Sequence, residues 1–349
     1  MNILVNTPDI SKLGGVANHY KGLLPCWTEN VRYHFIGGRK GIPGPVILIF
    51  DLLLFTLKLM FLSFDLVLLN PSLGKTALKR DALFLKIARF FKIKVIVFFH
   101  GWEEDIAKDI TRTPEWFLKN YGFADAFLVL SSSFKREMIS WGIVSPIYLT
   151  TTKVDDTLVK NFVFEDKKDS NTLLFLARVE ENKGIFVTLK AFQILQRDRK
   201  DLRLKVAGNG GAFISAQAFV KDEGINNVEF LGSISGEHLI ETFKNSDIYI
   251  LPTWHGEGMP TSVLEAMAFG LPLITRPVGG LNDFFEEGKM GFLIESFSPE
   301  VYSNRINELL NNRDELRAIG KYNCEYSLRN FLASQVAKNL EVIFKDIMK

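Results

Sequence analysis

The sequence predicts an α/β chain built from two doubly wound, Rossmann-like domains, and three observations carry that reading. The chain has 349 residues, too many for one compact core. Short apolar runs alternate with amphipathic stretches, the pattern of a parallel sheet with helices on both faces. The alternation breaks once, over residues 151–171, and then starts again.

In the first half, strands are expected at 2–6, 31–36, 65–69, 95–99, 126–130 and 147–149. Helices are expected at 16–24, 46–62, 76–91, 114–121 and 133–141. The stretch 151–171 is polar and irregular and holds the charged run Glu165-Asp166-Lys167-Lys168-Asp169, so it reads as an interdomain linker. In the second half, strands are expected at 172–176, 203–207, 227–231, 247–251 and 272–275. Helices are expected at 184–197, 212–223, 236–245, 261–269 and 299–311, and the tail 313–348 reads as wholly helical. The resulting domains are 1–155 and 156–330, with a final helix over 331–349. Solenoid repeats and low-complexity tracts are absent from the sequence.

Composition narrows the function classes. The chain is 47% hydrophobic and 23% charged, as globular proteins are. A net charge of +2 argues against a dedicated nucleic-acid binder. The only cysteines, Cys26 and Cys324, are far apart in sequence, which fits a reduced, cytoplasmic compartment. The start Met1-Asn2-Ile3-Leu4-Val5 reads as a strand, with no basic leader or cleavage site, so no signal peptide is expected.

One segment complicates the soluble reading. Residues 46–64, VILIFDLLLFTLKLMFLSF, are nearly all apolar, but Asp51 and Lys58 interrupt them. A spanning helix needs about 20 apolar residues, and a mid-span Asp costs roughly 2.5–3.5 kcal/mol. A buried helix, or one lying on a membrane surface, fits better. The next helix, 76–92, interleaves Lys79, Arg80, Lys86, Arg89 and Lys92 with Leu83, Ile87 and Phe90. Such a helix is either a solvated helix on a sheet or a contact with an anionic membrane. The apolar stretch beside it favours the membrane.

The chemistry concentrates in Glu257-Gly258-Met259-Pro260-Thr261-Ser262-Val263-Leu264-Glu265. The chain leaves the strand 247–251, turns at glycine, and starts a helix at Thr261 or Ser262. A helix start presents unpaired N–H groups and partial positive charge, a place for phosphate. Glu257 in the turn and Glu265 one helical turn inside can accept hydrogen bonds from hydroxyls on either side of that phosphate. The two could also form a glycosidase pair, but flanking a helix start favours binding.

Further candidates lie at strand ends. Arg178 ends the first strand of the second half and Lys183 begins the next helix, so both bring positive charge to the mouth of the sheet. Alone they would read as ordinary surface cations, and the nearby Glu257 loop favours phosphate binding. Gly14-Gly15 precedes a helix and allows close approach of an anion, or is a simple tight turn. His100 follows the strand 95–99, where it can donate to a sugar hydroxyl or hold a developing charge; a lone His is otherwise structural. The turn Gly208-Asn209-Gly210-Gly211 and the strand end Phe230-Leu231-Gly232-Ser233 can admit and wall a nucleobase, or reflect loop geometry alone. There is no Asp-x-Asp pair, phosphate-binding G-x-x-x-x-G-K-[ST] loop, H-E-x-x-H or G-x-S-x-G.

Taken together these residues resemble the retaining glycosyltransferases of family 4, also called group 1, with the GT-B fold. Glu257 and Glu265 match the family's E-x7-E motif. Arg178 and Lys183-Gly184 match its diphosphate-binding cations, and Gly14-Gly15 and His100-Gly101 match in position. The likeness is specific over about 172–295 and looser before it.

The resemblance implies two Rossmann-like domains facing across a cleft, the first binding acceptor and the second binding nucleotide sugar, with the last helix crossing back to the first. It implies that Glu265 binds ribose hydroxyls, that Glu257 and His100 contact the donor sugar, and that Arg178 and Lys183 neutralise the diphosphate. Backbone N–H groups of Gly258, Met259, Thr261 and Ser262, in the loop that holds Pro260, would approach phosphate, as would Gly15. No metal or other cofactor is implied, because the cations and helix dipole do that electrostatic work. The partners would be a UDP- or GDP-linked sugar and a glycan or lipid-linked acceptor in surface polysaccharide biosynthesis. Alternatives are an epimerase of this fold or a nucleotide-sugar-binding protein without transfer. Met259-Pro260 departs from the family's usual Phe-Gly and bears on the loop's shape.

Overall fold

The computed structural model describes residues 1–12, 14–39 and 41–349. The chain divides into two compact units. The first comprises Met1–Lys153, Gly256–Met259 and Ala333–Lys349, and the second comprises Val154–His255 and Pro260–Leu332.

In the first unit the chain runs β1 (Asn2–Pro8), α1 (Gly15–Leu23), β2 (Asn30–Ile36), α2 (Gly44–Phe61), β3 (Leu66–Leu69), α3 (Lys75–Phe90), β4 (Lys94–Phe99), α4 (Glu104–Arg112), α5 (Glu115–Tyr121), β5 (Ala126–Val129), α6 (Ser132–Ser140) and β6 (Ile147–Leu149). The strands form one parallel sheet ordered β2-β1-β3-β4-β5-β6. All four residues of β3 and Val95–Phe99 of β4 are buried, because both faces of a parallel sheet are covered. The order reverses at β1, so the loops after β1 and β3 flank the position where such sheets take ligands.

The second unit runs α7 (Asp156–Val159), β7 (Thr172–Leu176), α8 (Ile185–Leu195), β8 (Arg203–Ala207), α9 (Phe213–Asp222), β9 (Val228–Gly232), α10 (Gly236–Lys244), β10 (Ile248–Leu251), α11 (Thr261–Ala268), β11 (Leu273–Thr275), β12 (Gly291–Leu293), α12 (Pro299–Asn311) and α13 (Arg313–Asn330). Its parallel sheet is ordered β12-β11-β10-β7-β8-β9, so its switch point lies between β7 and β10.

Four expectations need correction. The helix α4 was not expected, although Glu104 and Asp105 in its first turn and Arg112 in its last complement the helix dipole. The short strand β12 was also not expected. Gly291 makes it possible: at φ +123° its missing side chain lets the backbone press onto Leu273, whose carbonyl oxygen would lie 2.0 Å from an added Cβ. The stretch 151–171 is not merely a linker. It forms α7, and Lys167 donates to the carbonyls of Phe243, Lys244 and Ser246, capping the end of α10. The tail is two helices. It breaks at Phe331-Leu332, where Val154 N donates to the Phe331 carbonyl (2.7 Å) and Val154 pairs with Leu332. The second of them, α14 (Ala333–Met348), belongs to the first unit. There the buried Glu341 carboxylate accepts from the backbone N–H groups of Thr28 (2.7 Å) and Glu29 (3.0 Å).

The apolar stretch is α2, the one helix among the described residues long and apolar enough to cross a membrane. It buries a single stripe, Ile47, Asp51, Phe55 and Leu59, each four residues on from the last. Asp51 therefore points inward, where it pairs with Arg39 (2.6 Å) and accepts from Gly37 N (3.1 Å). The opposite face leaves Val46, Ile49, Phe50, Leu53, Leu57, Met60 and Phe61 exposed.

Candidate functional site

The residues singled out in the second half gather at the switch point of the second sheet. Arg178 follows β7 and is exposed, and among the described residues its guanidinium has no ion-pair or hydrogen-bond partner. Lys183 lies in the turn before α8 and is 7% exposed, and Glu265, in α11, is also 7% exposed. Burial of a Lys or Glu is costly unless the charge is compensated, and both residues have interaction partners within the structure.

This geometry is held by the turn that bears Lys183. Gly184 has φ +81°, and an added Cβ would meet the Pro252 carbonyl oxygen at 2.4 Å. The Asn182 carbonyl accepts from Trp254 N (2.9 Å) and His255 N (3.2 Å). The loops after β7 and β10 are thus stitched together at the carboxyl ends of their strands. Asn182 and His255 were not anticipated, because their part is played through tertiary contact rather than motif.

Helix α11 begins at Thr261 with Pro260 as its cap residue, no side-chain cap and no acid in its first turn. Val263 N donates to the Pro260 carbonyl (3.1 Å), and the N–H groups of Thr261 and Ser262 ahead of it are the ones at the helix start, where an anion is favoured. Ser262 Oγ is engaged by Tyr249 Oη (2.7 Å), which also bonds the Leu176 carbonyl (2.9 Å), tying the helix start to β7.

Gly208 is explained by packing. Its φ is +128°, and an added Cβ would lie 1.9 Å from the Ala177 carbonyl oxygen, so the room a side chain would fill is taken by the segment leading to Arg178. The same holds at Gly210, where the Val179 carbonyl oxygen lies 2.4 Å from an added Cβ. Packing alone therefore requires glycine at both positions, against the segment that bears Arg178. Phe230 packs edge-on against Phe213 (5.6 Å).

The remaining candidates belong to the first unit. Gly14 and Gly15 are exposed, with open space where a side chain would be. Glu257 is half-buried, and its backbone pairs with Gly101. Gly258 lies against the His100 carbonyl oxygen (2.4 Å from an added Cβ), so no side chain fits there. Met259 is buried, and its carbonyl accepts from Thr152 Oγ1 (3.3 Å).

His100 sits in a polar cluster that was not foreseen. Its ring stacks on Phe98 (3.8 Å) and meets His19 (5.2 Å) and Tyr20 (6.0 Å) edge-on. His100 Nε2 lies 3.0 Å from Asn70 Oδ1. Burial pushes the His100 imidazole down to about 3, so it is neutral at pH 7. Buried His19 is held well below its ordinary value by desolvation, then by His100 and Lys153. Thr7 and His19 are fully buried with side-chain polar atoms unpartnered. A polar residue just past an apolar strand, as Asn70 is past β3, is the signal that could have marked this cluster.

Among the described residues no group of three or more His, Cys, Asp or Glu side chains is placed to hold a metal ion.

Comparison with known proteins bears on both halves. Residues 159–325 match the family described as glycosyl transferases group 1. Spore coat protein SA of Bacillus subtilis is 29% identical over 188 residues, covering 50% of this chain and 48% of that protein. The chain spans about half the length of the curated relatives it matches. Among solved structures, the sucrose-phosphate synthase of Thermosynechococcus elongatus superposes with a TM-score of 0.78 at 17% identity, over 99% of both chains. Anabaena HepE, solved in complex with UDP and glucose, superposes with a TM-score of 0.74 at 14% identity, again over 99% of both. At these identities the likeness shows the fold, which is GT-B with two parallel six-stranded sheets.

Proposed function

We propose that this chain, whose second half matches the group 1 glycosyl transferases, moves a sugar from a UDP- or GDP-linked donor to a glycan or lipid-linked acceptor. The reading extends to a retaining, metal-independent enzyme of family 4, acting in surface polysaccharide biosynthesis. The observation that carries it is the grouping at the β7/β10 switch point: exposed Arg178, buried Lys183 and Glu265, and the uncapped start of α11. A diphosphate fits that chemistry, since a guanidinium, an ammonium and backbone N–H groups all stabilise the charge left when the sugar departs. Solved structures of the same fold that hold UDP support a nucleotide donor.

In this reading Glu265 binds the ribose hydroxyls, while Glu257 and His100 contact the donor sugar and Gly15 approaches phosphate. The test is nucleotide release from UDP- and GDP-sugars with and without acceptor. Loss of release in Arg178→Ala with an unchanged melting temperature supports the assignment, and wild-type release refutes it. Binding of the sugar nucleotide with neither nucleotide release nor transfer favours a donor-binding protein over a transferase.

The placement proposed is cytoplasmic and peripheral, on the inner face of the cell membrane. The exposed apolar face of α2 supports it, as does α3 beside it, where Lys79, Leu83, Lys86 and Phe90 form one exposed stripe at helical spacing. Residues 44–94 hold eight Lys and Arg against three Asp, a net of +5 in a chain whose total is +2. That asymmetry suits an anionic lipid surface.

A further inference from the structure

We infer that Asn70 fixes His100 as the Nε2–H tautomer, so that His100 meets its ligand with a lone pair at Nδ1 and acts there as a hydrogen-bond acceptor.

Asn70 Nδ2 lies 3.0 Å from the Asn6 carbonyl oxygen and 3.3 Å from that of Leu68. Backbone carbonyls only accept, so the end of the amide facing them is the NH2 group. The other end is therefore the oxygen, and it receives Tyr20 Oη at 2.5 Å and His100 Nε2 at 3.0 Å. An amide oxygen cannot donate, so the proton between Asn70 and His100 belongs to Nε2. Turning the amide over would face its NH2 group to Tyr20 and His100 and set its oxygen against the Asn6 and Leu68 carbonyl oxygens, acceptor against acceptor. Asn70 is buried, so water does not relieve that exchange.

A neutral imidazole protonated at Nε2 carries its lone pair on Nδ1. Among the described residues Nδ1 makes no hydrogen bond, and it is not among the buried unpartnered atoms. The rings around His100 are those of Phe98, His19 and Tyr20, none of them an anion that would favour the imidazolium. Asn70 is thus a positioning residue, with Tyr20 as its second donor. The consequence is selectivity by chemical group: Nδ1 engages a ligand hydroxyl and disfavours a ketone or carboxylate oxygen at the same point. That consequence rests on the reading of His100 as a donor-sugar contact, whereas the tautomer does not.

The test uses the full chain labelled with 15N-histidine and a two-bond 1H–15N correlation spectrum at pH 7. The chain has five histidines, and the His100 pattern is the one lost in His100→Gln. The expected result is the Nε2–H pattern for His100, retained in Tyr20→Phe and replaced by mixed tautomers in Asn70→Leu. An Nδ1–H or doubly protonated His100 overturns the inference. If Asn70→Leu does not fold, the wild-type and Tyr20→Phe spectra still decide. UDP, UDP-glucose and GDP-mannose are then added. A shift of Nδ1 that needs the sugar supports the acceptor role. Tight nucleotide-sugar binding with Nδ1 unmoved overturns that role while leaving the tautomer standing. No binding of either sugar nucleotide counts against the proposed function alone.

Discussion

Replacing Ile49, Leu53 and Phe61 together by Ser should release the protein from anionic vesicles without unfolding it. These side chains are 68%, 54% and 75% exposed on the outer face of α2. Full burial of a large apolar side chain is worth about 1.5–3 kcal/mol. Scaling the lower figure by the exposed shares gives about 3 kcal/mol for the three, roughly a hundredfold in partitioning. The lysines exposed on α3 add about 1 kcal/mol each near an anionic surface, a contribution that salt screens. The assay is co-sedimentation with phosphatidylglycerol and phosphatidylcholine vesicles at low and high salt. Wild-type protein should pellet with the anionic vesicles at low salt, and the triple variant should not. Phe55→Ala is the contrasting control: Phe55 is fully buried on the inner stripe of α2, so its loss costs about 3–5 kcal/mol of stability. Wild-type protein that stays in the supernatant at low salt, or a triple variant that binds as well as wild type, refutes the reasoning.

Arg178→Ala should lower kcat for sugar transfer by about 10²–10³-fold, as loss of one charge-stabilising donor does; because Arg178 is exposed, the melting temperature should hold. Gly208→Ala should destabilise by about 2 kcal/mol or more and weaken nucleotide binding, since at φ +128° its Cβ would collide with the Ala177 carbonyl oxygen; calorimetric melting with and without UDP reads both effects. Arg39→Ala should cost about 1–3 kcal/mol by leaving the Asp51 carboxylate buried without its cation, measured by urea denaturation. Burial, with Lys58 adding to it, holds folded His34 down to about 4 against an ordinary 6.5. The unfolded chain therefore binds a proton that the folded state refuses, and stability falls as pH drops from about 6.5 towards about 4. His34→Gln should flatten that part of the melting curve against pH.

Much of the fold was legible because strands buried on both faces announce themselves as apolar runs, as Leu66–Leu69 and Val95–Phe99 do. What escaped was set by tertiary contact. The break between α13 and α14 has neither Gly nor Pro and depends on Val154 pairing with Leu332. The strand β12 is three residues long and exists because Gly291 presses on Leu273. Lys167 looked like part of a solvated charge run, yet it caps α10 from a distant point in the chain. At the candidate site, Arg178, Lys183 and Glu265 were legible from charge placed at strand ends and helix starts. The Tyr20–Asn70–His100 chain was not, because its members come from α1 and from the loops after β3 and β4, and only folding makes them neighbours.

The central claim is that a nucleotide diphosphate is held at the carboxyl ends of β7 and β10. Crystals soaked with UDP-glucose or GDP-mannose test it most directly. The account predicts the diphosphate within hydrogen-bond reach of Arg178, Lys183 and the leading N–H groups of α11, with ribose on Glu265. Nucleotide bound elsewhere, or a bound diphosphate that none of these groups touches, contradicts it.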